Sequence, residues 1–158
     1  MSVPSHLESL TQAVLDNLEN QQDWADLRVH RDASKPRPLI SGLPPRRIYV
    51  HPDEQIEIIK AEKAQGQTIP QPPEVEWVLP IHLAEKFSLS AFAAVFDSVE
   101  AIPPGTLAEE KAVDDTAAHW RQWRGAKRGK RILLATVQDD STVVYYLMHD
   151  GIVKPRQN

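Results

Sequence analysis

The chain of 158 residues contains no cysteine and only six glycines. Without cysteine it can form neither a disulfide nor a thiolate metal site, and this composition fits a reducing compartment. No apolar run approaches the roughly 18 residues that a membrane-spanning helix needs. Residues 1–10 lack the basic start and apolar core of a signal peptide. These absences predict a soluble intracellular protein that does not enter a membrane.

A basic excess is also absent. Eighteen lysines and arginines face 22 aspartates and glutamates, which gives a formal net charge of −4. A stand-alone nucleic-acid binder usually carries positive charge, because neutralising phosphates supplies much of its affinity. The sequence has no glycine-rich phosphate loop and no Gly-x-Ser-x-Gly motif, and its six histidines lack metal-ligand spacing. We therefore expect no cofactor, no metal, and RNA contact only beside a more basic partner.

We predict four helices, the first three from apolar residues at helical spacing and the last as a polar helix. They cover about 5–21, a segment capped by Asp53, a segment capped by Ser88 or Ser90 with Leu89, Phe92, Val95 and Phe96 on its buried side, and about 113–124. Ser5 and Glu8 form a capping-box pattern at the start of the first helix. Thirteen prolines mark the intervening connections, which we predict as loops at about 32–45, 65–73 and 100–112.

β-Branched and apolar runs predict five strands. They cover about 24–30, 46–50, 74–83, 131–137 and 142–148. Pro80 has no amide hydrogen, so its strand should end there or lie at a sheet edge. The turn residues 139–141 join the last two strands into a C-terminal hairpin. The pattern is that of an α/β (mixed α+β) chain, a single domain over 1–158 with one mixed sheet flanked by helices.

The last predicted strand is apolar on both faces. Its residues are Thr142, Val143, Val144, Tyr145, Tyr146, Leu147 and Met148. A strand of this kind is either central and buried, or an edge that pairs with another chain. The residues alone leave both interpretations open.

A basic run precedes the hairpin and is interleaved with Trp120 and Trp123. Its members are Arg121, Arg124, Lys127, Arg128, Lys130 and Arg131. Cations can neutralise phosphates and tryptophans can stack on bases, so an RNA contact is one interpretation. The other, which we weigh more heavily, is a polar helix end whose tryptophans anchor it to the domain.

Two stretches resemble a known family. KRILLATVQDDSTVVYYLMHDGIVKP resembles the hairpin that closes the tRNA-intron endonuclease fold, and EWVLPIHLAEKFSLSAFAAVFDSV is similar to fungal members of the Sen fifteen family. The pattern of Trp24, Leu27 and Val29 after an amphipathic helix fits as well. The resemblance covers nearly the whole chain. It implies a tRNA-intron endonuclease catalytic-domain-like fold and a small subunit of the four-subunit endonuclease that removes introns from precursor tRNA.

The resemblance further implies that this chain has no catalytic residues. The cutting subunits of that endonuclease use a tyrosine as base, a histidine as acid and a lysine, without a metal. Lys130 stands at the place of the lysine, but between Phe96 and Lys130 the only histidine is His119 and there is no tyrosine. Acid–base catalysis needs such positioned groups. Lys130 is therefore expected to be a relic, a structural cation or an RNA contact.

The resemblance also implies two surfaces for protein partners. The last strand, 142–148, would pair edge to edge with a catalytic subunit to give a heterodimer within a heterotetramer. Asp139 and Asp140, in the acidic hairpin loop, would dock in a basic groove on a different subunit pair. Ordinary turn chemistry is the alternative for these two aspartates. Precursor tRNA would be met through the complex.

Two further expectations concern the state and place of the chain. In isolation, an unpaired last strand would favour a homodimer. The resemblance implies residence in the nucleus, with the cytoplasm or the mitochondrial surface as alternatives in fungi.

Two other functions remain as alternatives. One is a stand-alone RNA-processing nuclease with a dispersed site around His82, His119 and Lys130; the missing tyrosine and histidine argue against it. The other is a single-chain RNA-binding module, against which the acidic composition argues.

Overall fold

The computed structural model describes residues 4–104 and 128–150. Their elements, in chain order, are α1 (Ser5–Asn20), β1 (Ala25–His30), β2 (Leu39–Leu43), α2 (Pro52–Gln65), β3 (Glu76–His82), α3 (Leu89–Asp97), β4 (Arg131–Val137) and β5 (Val143–His149). The strands form one sheet in the order β1-β2-β3-β4-β5. Only the β3–β4 pair is parallel. The chain is thus a mixed α/β single domain, with a five-stranded sheet and three helices among these residues.

The sheet separates two apolar clusters, because alternate residues of a strand point to opposite faces. One cluster lies on the α1 face and comprises Val14, Leu18, Trp24, Ile40, Val78, Ala135 and Val137. The other lies on the α3 face and comprises Leu39, Trp77, Leu79, Ile81, Val95, Phe96, Val99 and Ile132. The central strand β3 contributes to both, which explains its nearly continuous apolar sequence.

The first predicted helix and the C-terminal hairpin are confirmed, within one or two residues at their ends. The capping box is wrong. Ser5 is already the first helical residue and provides no side-chain cap. The Glu8 carboxylate instead accepts two hydrogen bonds from the Arg31 guanidinium, at 2.6 and 2.8 Å. Pro4 occupies the N-cap position, so a box that needs a serine there cannot form.

The strand predicted over 46–50 is wrong, and a strand lies instead at Leu39–Leu43, inside a predicted loop. The chain over 46–50 forms no strand. Its Arg47 side chain is 3% exposed and bound to the carboxylates of Glu54 and Glu74. β2 contains Gly42, where a Cβ would come within 2.7 Å of Leu27 Cδ2. The glycine therefore permits close packing of β1 on β2. Because glycine has a low strand propensity, the residues alone give no sign of a strand here.

The interpretation of Pro80 is also corrected, because β3 is a central strand that continues through it. On the β4 side, Pro80 lies opposite Ala135 in the parallel register. On the β2 side the pairing covers only Glu76 to Val78, so Pro80 lies beyond it. There the Pro80 carbonyl accepts a hydrogen bond from Arg37 Nη2 at 3.0 Å. The missing amide hydrogen therefore costs no ladder bond.

The helix starts resolve the remaining predictions about caps. His51, not Asp53, caps α2, since its Nδ1 accepts from the Asp53 amide at 3.1 Å. Ser88 caps α3 through the Ala91 amide at 3.1 Å. Leu89 is 87% exposed, so it does not belong to the buried side of α3. The predicted helix over 113–124 lies outside the described residues.

No helix in the described ranges is both long enough and apolar enough to cross a membrane.

Candidate partner interface at the last strand

The hairpin between β4 and β5 closes with a tight turn. The Ser141 amide donates to the Gln138 carbonyl and the Gln138 amide donates to the Thr142 carbonyl, both at 2.9 Å. Ser141 has a φ of 69°, in the left-handed region. The Asp140 carboxylate accepts from the Thr142 amide at 3.0 Å. This is a three-residue hairpin loop, and it confirms the turn predicted at 139–141.

The backbone amides and carbonyls of successive β5 residues point alternately toward β4 and away from it. Hydrogen bonds at Gln138–Thr142 and Lys130–Asp150 flank the strand, and the register between them is unbroken. Bonded and non-bonded pairs alternate in an antiparallel ladder. The residues bonded to β4 are therefore Val144, Tyr146 and Met148. Those whose amides and carbonyls point to the open edge are Val143, Tyr145, Leu147 and His149.

In the described part of the chain, β5 pairs with β4 alone and lies at the edge of the sheet. Of the two interpretations of this strand, the edge is the one observed. Its side chains are half-buried on both faces apart from Tyr146, which is 56% exposed. Val143 and Tyr145 pack on the α1 cluster and Met148 packs on the α3 cluster.

Tyr145 fixes β5 to the first helix. Its hydroxyl donates to Asn17 Oδ1 at 2.6 Å, and burial raises the pKa of this phenol well above its usual value. The hydroxyl therefore stays protonated and serves as a tether between the edge strand and α1.

The opposite sheet edge, β1, is built differently. Its register with β2 shifts between Ala25 and Arg28, and Asp26 has a positive φ of 51°. Arg28 and Asp26 place a charge pair on this strand, at 3.4 Å. Bulges and charges are the usual means by which proteins protect an edge from unwanted pairing. β5 shows no register shift and carries no charged residue over 143–148, so it is an edge suited to adding a strand.

The acidic loop lies beside the open edge. Asp139 Oδ1 is 3.0 Å from His82 Nε2, while the Asp139 side chain is 96% exposed. Hydrogen bonds from Thr142, its backbone amide first, lower the pKa of Asp140 below its usual value. Both loop carboxylates are therefore available as charged groups on the surface.

Two members of the basic run are in the interior instead of on the surface. Arg128 and Arg131 belong to a buried ion cluster of three arginines and three glutamates, namely Arg47, Arg128, Arg131, Glu54, Glu74 and Glu76. Arg131 binds Glu76 in a bidentate manner at 2.6 and 2.9 Å, and the pair is almost fully buried. Arg128 also donates to the Val75 and Ala101 carbonyls.

This placement corrects the RNA contact predicted for Arg128 and Arg131. Their guanidinium groups are turned to carboxylates and carbonyls inside the domain, where phosphate has no access. The prediction treated a local run of cations as a surface feature, whereas their carboxylate partners lie more than 50 residues earlier in the chain.

Lys130 has a contact that fits one of its three expected roles. Its Nζ donates to the Phe96 carbonyl near the end of α3, at 3.0 Å. A cation there interacts favourably with the last carbonyls and with the negative end of the helix dipole. The other candidates of the basic run, Arg121, Arg124 and Lys127, lie outside the described residues, as does His119.

The buried ion cluster is the feature that sequence reasoning missed. A signal for it existed in Glu74 and Glu76, two carboxylates directly at the start of an apolar strand that must be buried. No group of three or more histidines, aspartates or glutamates within 4–104 and 128–150 is placed to hold a metal ion.

Comparison with known proteins identifies the family. The model of the Sen15 protein family matches residues 13–158, and the chain belongs to that family. It is 63% identical over 158 residues to a Neurospora crassa protein named probable tRNA-splicing endonuclease subunit tsp-1, covering 100% of this chain and 70% of that protein. This confirms the resemblance drawn from the hairpin and from residues 76–99.

Two more distant relatives carry similar names. One is the probable tRNA-splicing endonuclease subunit sen15 of Schizosaccharomyces pombe, 27% identical over 152 residues, with 94% of this chain and 82% of the relative covered. The other is the tRNA-splicing endonuclease subunit SEN15 of Eremothecium gossypii, 27% identical over 152 residues, with 96% and 93% covered.

Proposed function

We propose that this chain is a non-catalytic structural subunit of the tRNA-splicing endonuclease, and that it supports a catalytic subunit by pairing β5 with that subunit's sheet edge. The names of the relatives support the complex. The observation that carries the pairing is the open β5 edge, apolar on both faces and without a register shift.

Pairing at this edge would satisfy two needs at once. The outward amides and carbonyls at Val143, Tyr145 and Leu147 would exchange water for a neighbouring strand. The half-buried side chains of β5 would gain apolar neighbours, which is where cross-strand pairs derive most of their stability. In the absence of the catalytic subunit, a second copy of this chain offers the same edge, so a homodimer forms.

The lack of catalysis is supported by the residues around Lys130. The family's tyrosine and histidine have no match before it, and its ammonium group binds the Phe96 carbonyl.

Two further parts of the proposal are that precursor tRNA is met through the complex and that the chain works in the nucleus. The burial of Arg128 and Arg131 leaves the alternative of a single-chain RNA binder with fewer surface cations.

The acidic loop completes the proposal. Asp139 and Asp140, at the tip of the hairpin, would dock in a cationic groove on the other subunit pair. Support comes from their exposure and from their position in the loop before the start of β5, outside the residues 143–149 that would pair with another strand.

The pairing is tested by Leu147→Pro, with Leu147→Ala as its matched control. Both substitutions remove the leucine side chain, but only proline removes the outward amide hydrogen, and the inward bonds of Tyr146 and Met148 are untouched. When each variant is co-expressed with the catalytic subunit, we expect Leu147→Ala to co-purify as a heterodimer and Leu147→Pro to lose at least about tenfold in affinity.

A second variant guards against misfolding of the proline chain. Tyr146→Lys places a charge on a side chain that is already 56% exposed, so the monomer should fold while the apolar interface is disrupted. Light scattering and thermal unfolding report mass and fold together. If Leu147→Pro and Tyr146→Lys both form heterodimers with unchanged affinity, the proposed pairing is wrong. If the isolated chain cleaves precursor tRNA without a metal, the proposed non-catalytic role is wrong.

A further inference from the structure

We infer that His82 is a positioning residue, which orients the Asp139 carboxylate before the hairpin loop docks on a cationic partner surface. The inference rests on the loop docking in the proposed function, and it adds the residue that prepares the loop. The partner chemistry is a groove of arginine or lysine side chains on another subunit, to which an oriented carboxylate can bind with good geometry.

His82 lies where the loop can be reached. It is the last residue of β3 and sits opposite Val137, the last residue of β4, in the parallel register. The acidic loop begins two residues beyond Val137. His82 Nε2 is 3.0 Å from Asp139 Oδ1, so the contact joins two segments that are 57 residues apart in sequence.

The proton on the His82 ring is placed by a second contact. The Ala84 amide donates to His82 Nδ1 at 3.0 Å, so Nδ1 acts as an acceptor and carries no hydrogen. The ring hydrogen is then on Nε2, which donates to Asp139. A neutral imidazole of this tautomer holds the carboxylate without neutralising it, so Asp139 keeps its full charge for the partner.

The backbone of His82 is held from the other side. Its amide donates to Glu85 Oε1 at 3.0 Å. The Glu85 carboxylate also binds the Arg37 guanidinium at 2.7 and 3.0 Å, and Arg37 donates to the Pro80 carbonyl. The backbone that carries the imidazole is thus held by a connected set of polar contacts that ends in the sheet, while the ring itself is oriented by the Ala84 amide. A positioning group requires such support.

Asp139 meets a partner with most of its hydrogen-bonding capacity intact. Its side chain is 96% exposed, and its Oδ2 accepts no hydrogen bond from the described residues. A carboxylate has about four acceptor sites, of which His82 uses one. Because the rotamer is already selected, docking loses less side-chain entropy than it would for a freely rotating aspartate.

The test uses the fact that glutamine and asparagine imitate different ring nitrogens. In His82→Gln the amide nitrogen reaches the Nε2 position and can still donate to Asp139. In His82→Asn the amide reaches only the Nδ1 position and can satisfy Ala84 alone. Dilution of the purified four-subunit complex, followed by mass photometry, gives the dissociation constant between subunit pairs. We expect about a five- to tenfold weaker association for His82→Asn and near-wild-type association for His82→Gln.

The opposite order, with asparagine restoring assembly and glutamine not, would show that His82 serves only the local turn and would overturn the inference. Asp139→Asn separates this inference from the docking itself. If Asp139→Asn leaves assembly unchanged, the proposed docking of Asp139 is wrong. If it weakens assembly while His82→Asn does not, docking stands and the positioning role is wrong.

A double substitution and a spectrum complete the test. In the Asp139→Asn background, His82→Asn should cause no further loss, since a residue that acts through Asp139 has nothing left to position. Nitrogen NMR of the histidine rings in the isolated chain should show His82 as the Nε2–H tautomer at neutral pH, and the Nδ1–H tautomer would contradict the proposed contact.

Discussion

The six side chains of the buried ion cluster lie where β3 and β4 begin. Three arginines face three glutamates, so the formal charges cancel within the cluster. Arg47 binds Glu54 in a bidentate manner with both N–O distances at 2.6 Å. Tyr49 lies 5.5 Å from the Arg131 guanidinium and covers it. Because burial removes the water shell of every member, each charge depends on its partners.

Removing a single charge from this cluster should therefore destabilise the domain. Arg131→Met keeps most of the volume but leaves Glu76 with only the more distant Arg128, at 3.7 Å. We expect a loss of about 3–5 kcal/mol in the free energy of unfolding, measured by urea denaturation. The surface pair of Arg31 and Glu8 supplies the control, since Arg31→Met should change the stability far less. Equal losses for the two variants would contradict the account.

The cluster also shows where prediction from the residues stops. Charged residues are read as solvent-exposed because lone charges are rarely buried. The partners here come from three separate regions, around 47–54, 74–76 and 128–131. Local sequence gives no information on such pairing. The family resemblance could suggest a fold, but the burial of Arg128 and Arg131 became visible only in the three-dimensional structure.

At the scale of elements, patterned segments were predictable and irregular ones were not. α1 has a clear apolar stripe, and the hairpin joins two strongly β-branched strands through a recognisable turn. β2 escaped prediction because its sequence, LISGL, is short, contains glycine and lies among prolines. Its identity as a strand comes from β1 and β3, which pair with it on both sides.

Gly42 offers a test of that tertiary effect. A Cβ at this position would meet Leu27 Cδ2 at 2.7 Å and Trp24 Cε3 at 3.0 Å. We expect Gly42→Ala to lower the free energy of unfolding by about 1–3 kcal/mol, because β1 must shift or its side chains must leave their rotamers. Gly129→Ala is the control, since nothing lies within 4 Å of its added methyl group. A neutral Gly42→Ala in the same denaturation assay would refute the close approach.

At the scale of the whole molecule, the pH dependence of stability should come in part from two histidines. The His30 ring packs on Trp77 at 4.8 Å, and burial, together with Lys35, lowers its pKa. Burial and the neighbouring Arg131 likewise lower the pKa of His149. Both therefore favour the neutral form in the folded state. Their contribution is fully present above the unfolded pKa of about 6.5, and it is lost as the pH falls through that value toward the folded pKa.

We therefore expect the urea midpoint to fall between about pH 7.5 and about pH 5.5. The double variant His30→Gln with His149→Gln should show a weaker dependence over the same range. The carboxyls with lowered pKa, such as Asp140, titrate in a more acidic window. A midpoint that rises on acidification, or an equal slope in the double variant, would be inconsistent with neutral buried histidines.

The contacts of Arg128 have a consequence for the continuity of the chain. Its guanidinium group binds the carbonyls of Val75 and Ala101, and β4 pairs with β3 from Ile132 to Val137. Residues 4–104 and 128–150 are thus joined by a parallel ladder, by the buried ion cluster and by the Lys130 contact with Phe96. A single cut in the peptide between them would leave two fragments held together without a covalent bond. Such a nicked protein would keep its mass in solution and separate into two bands only on a denaturing gel.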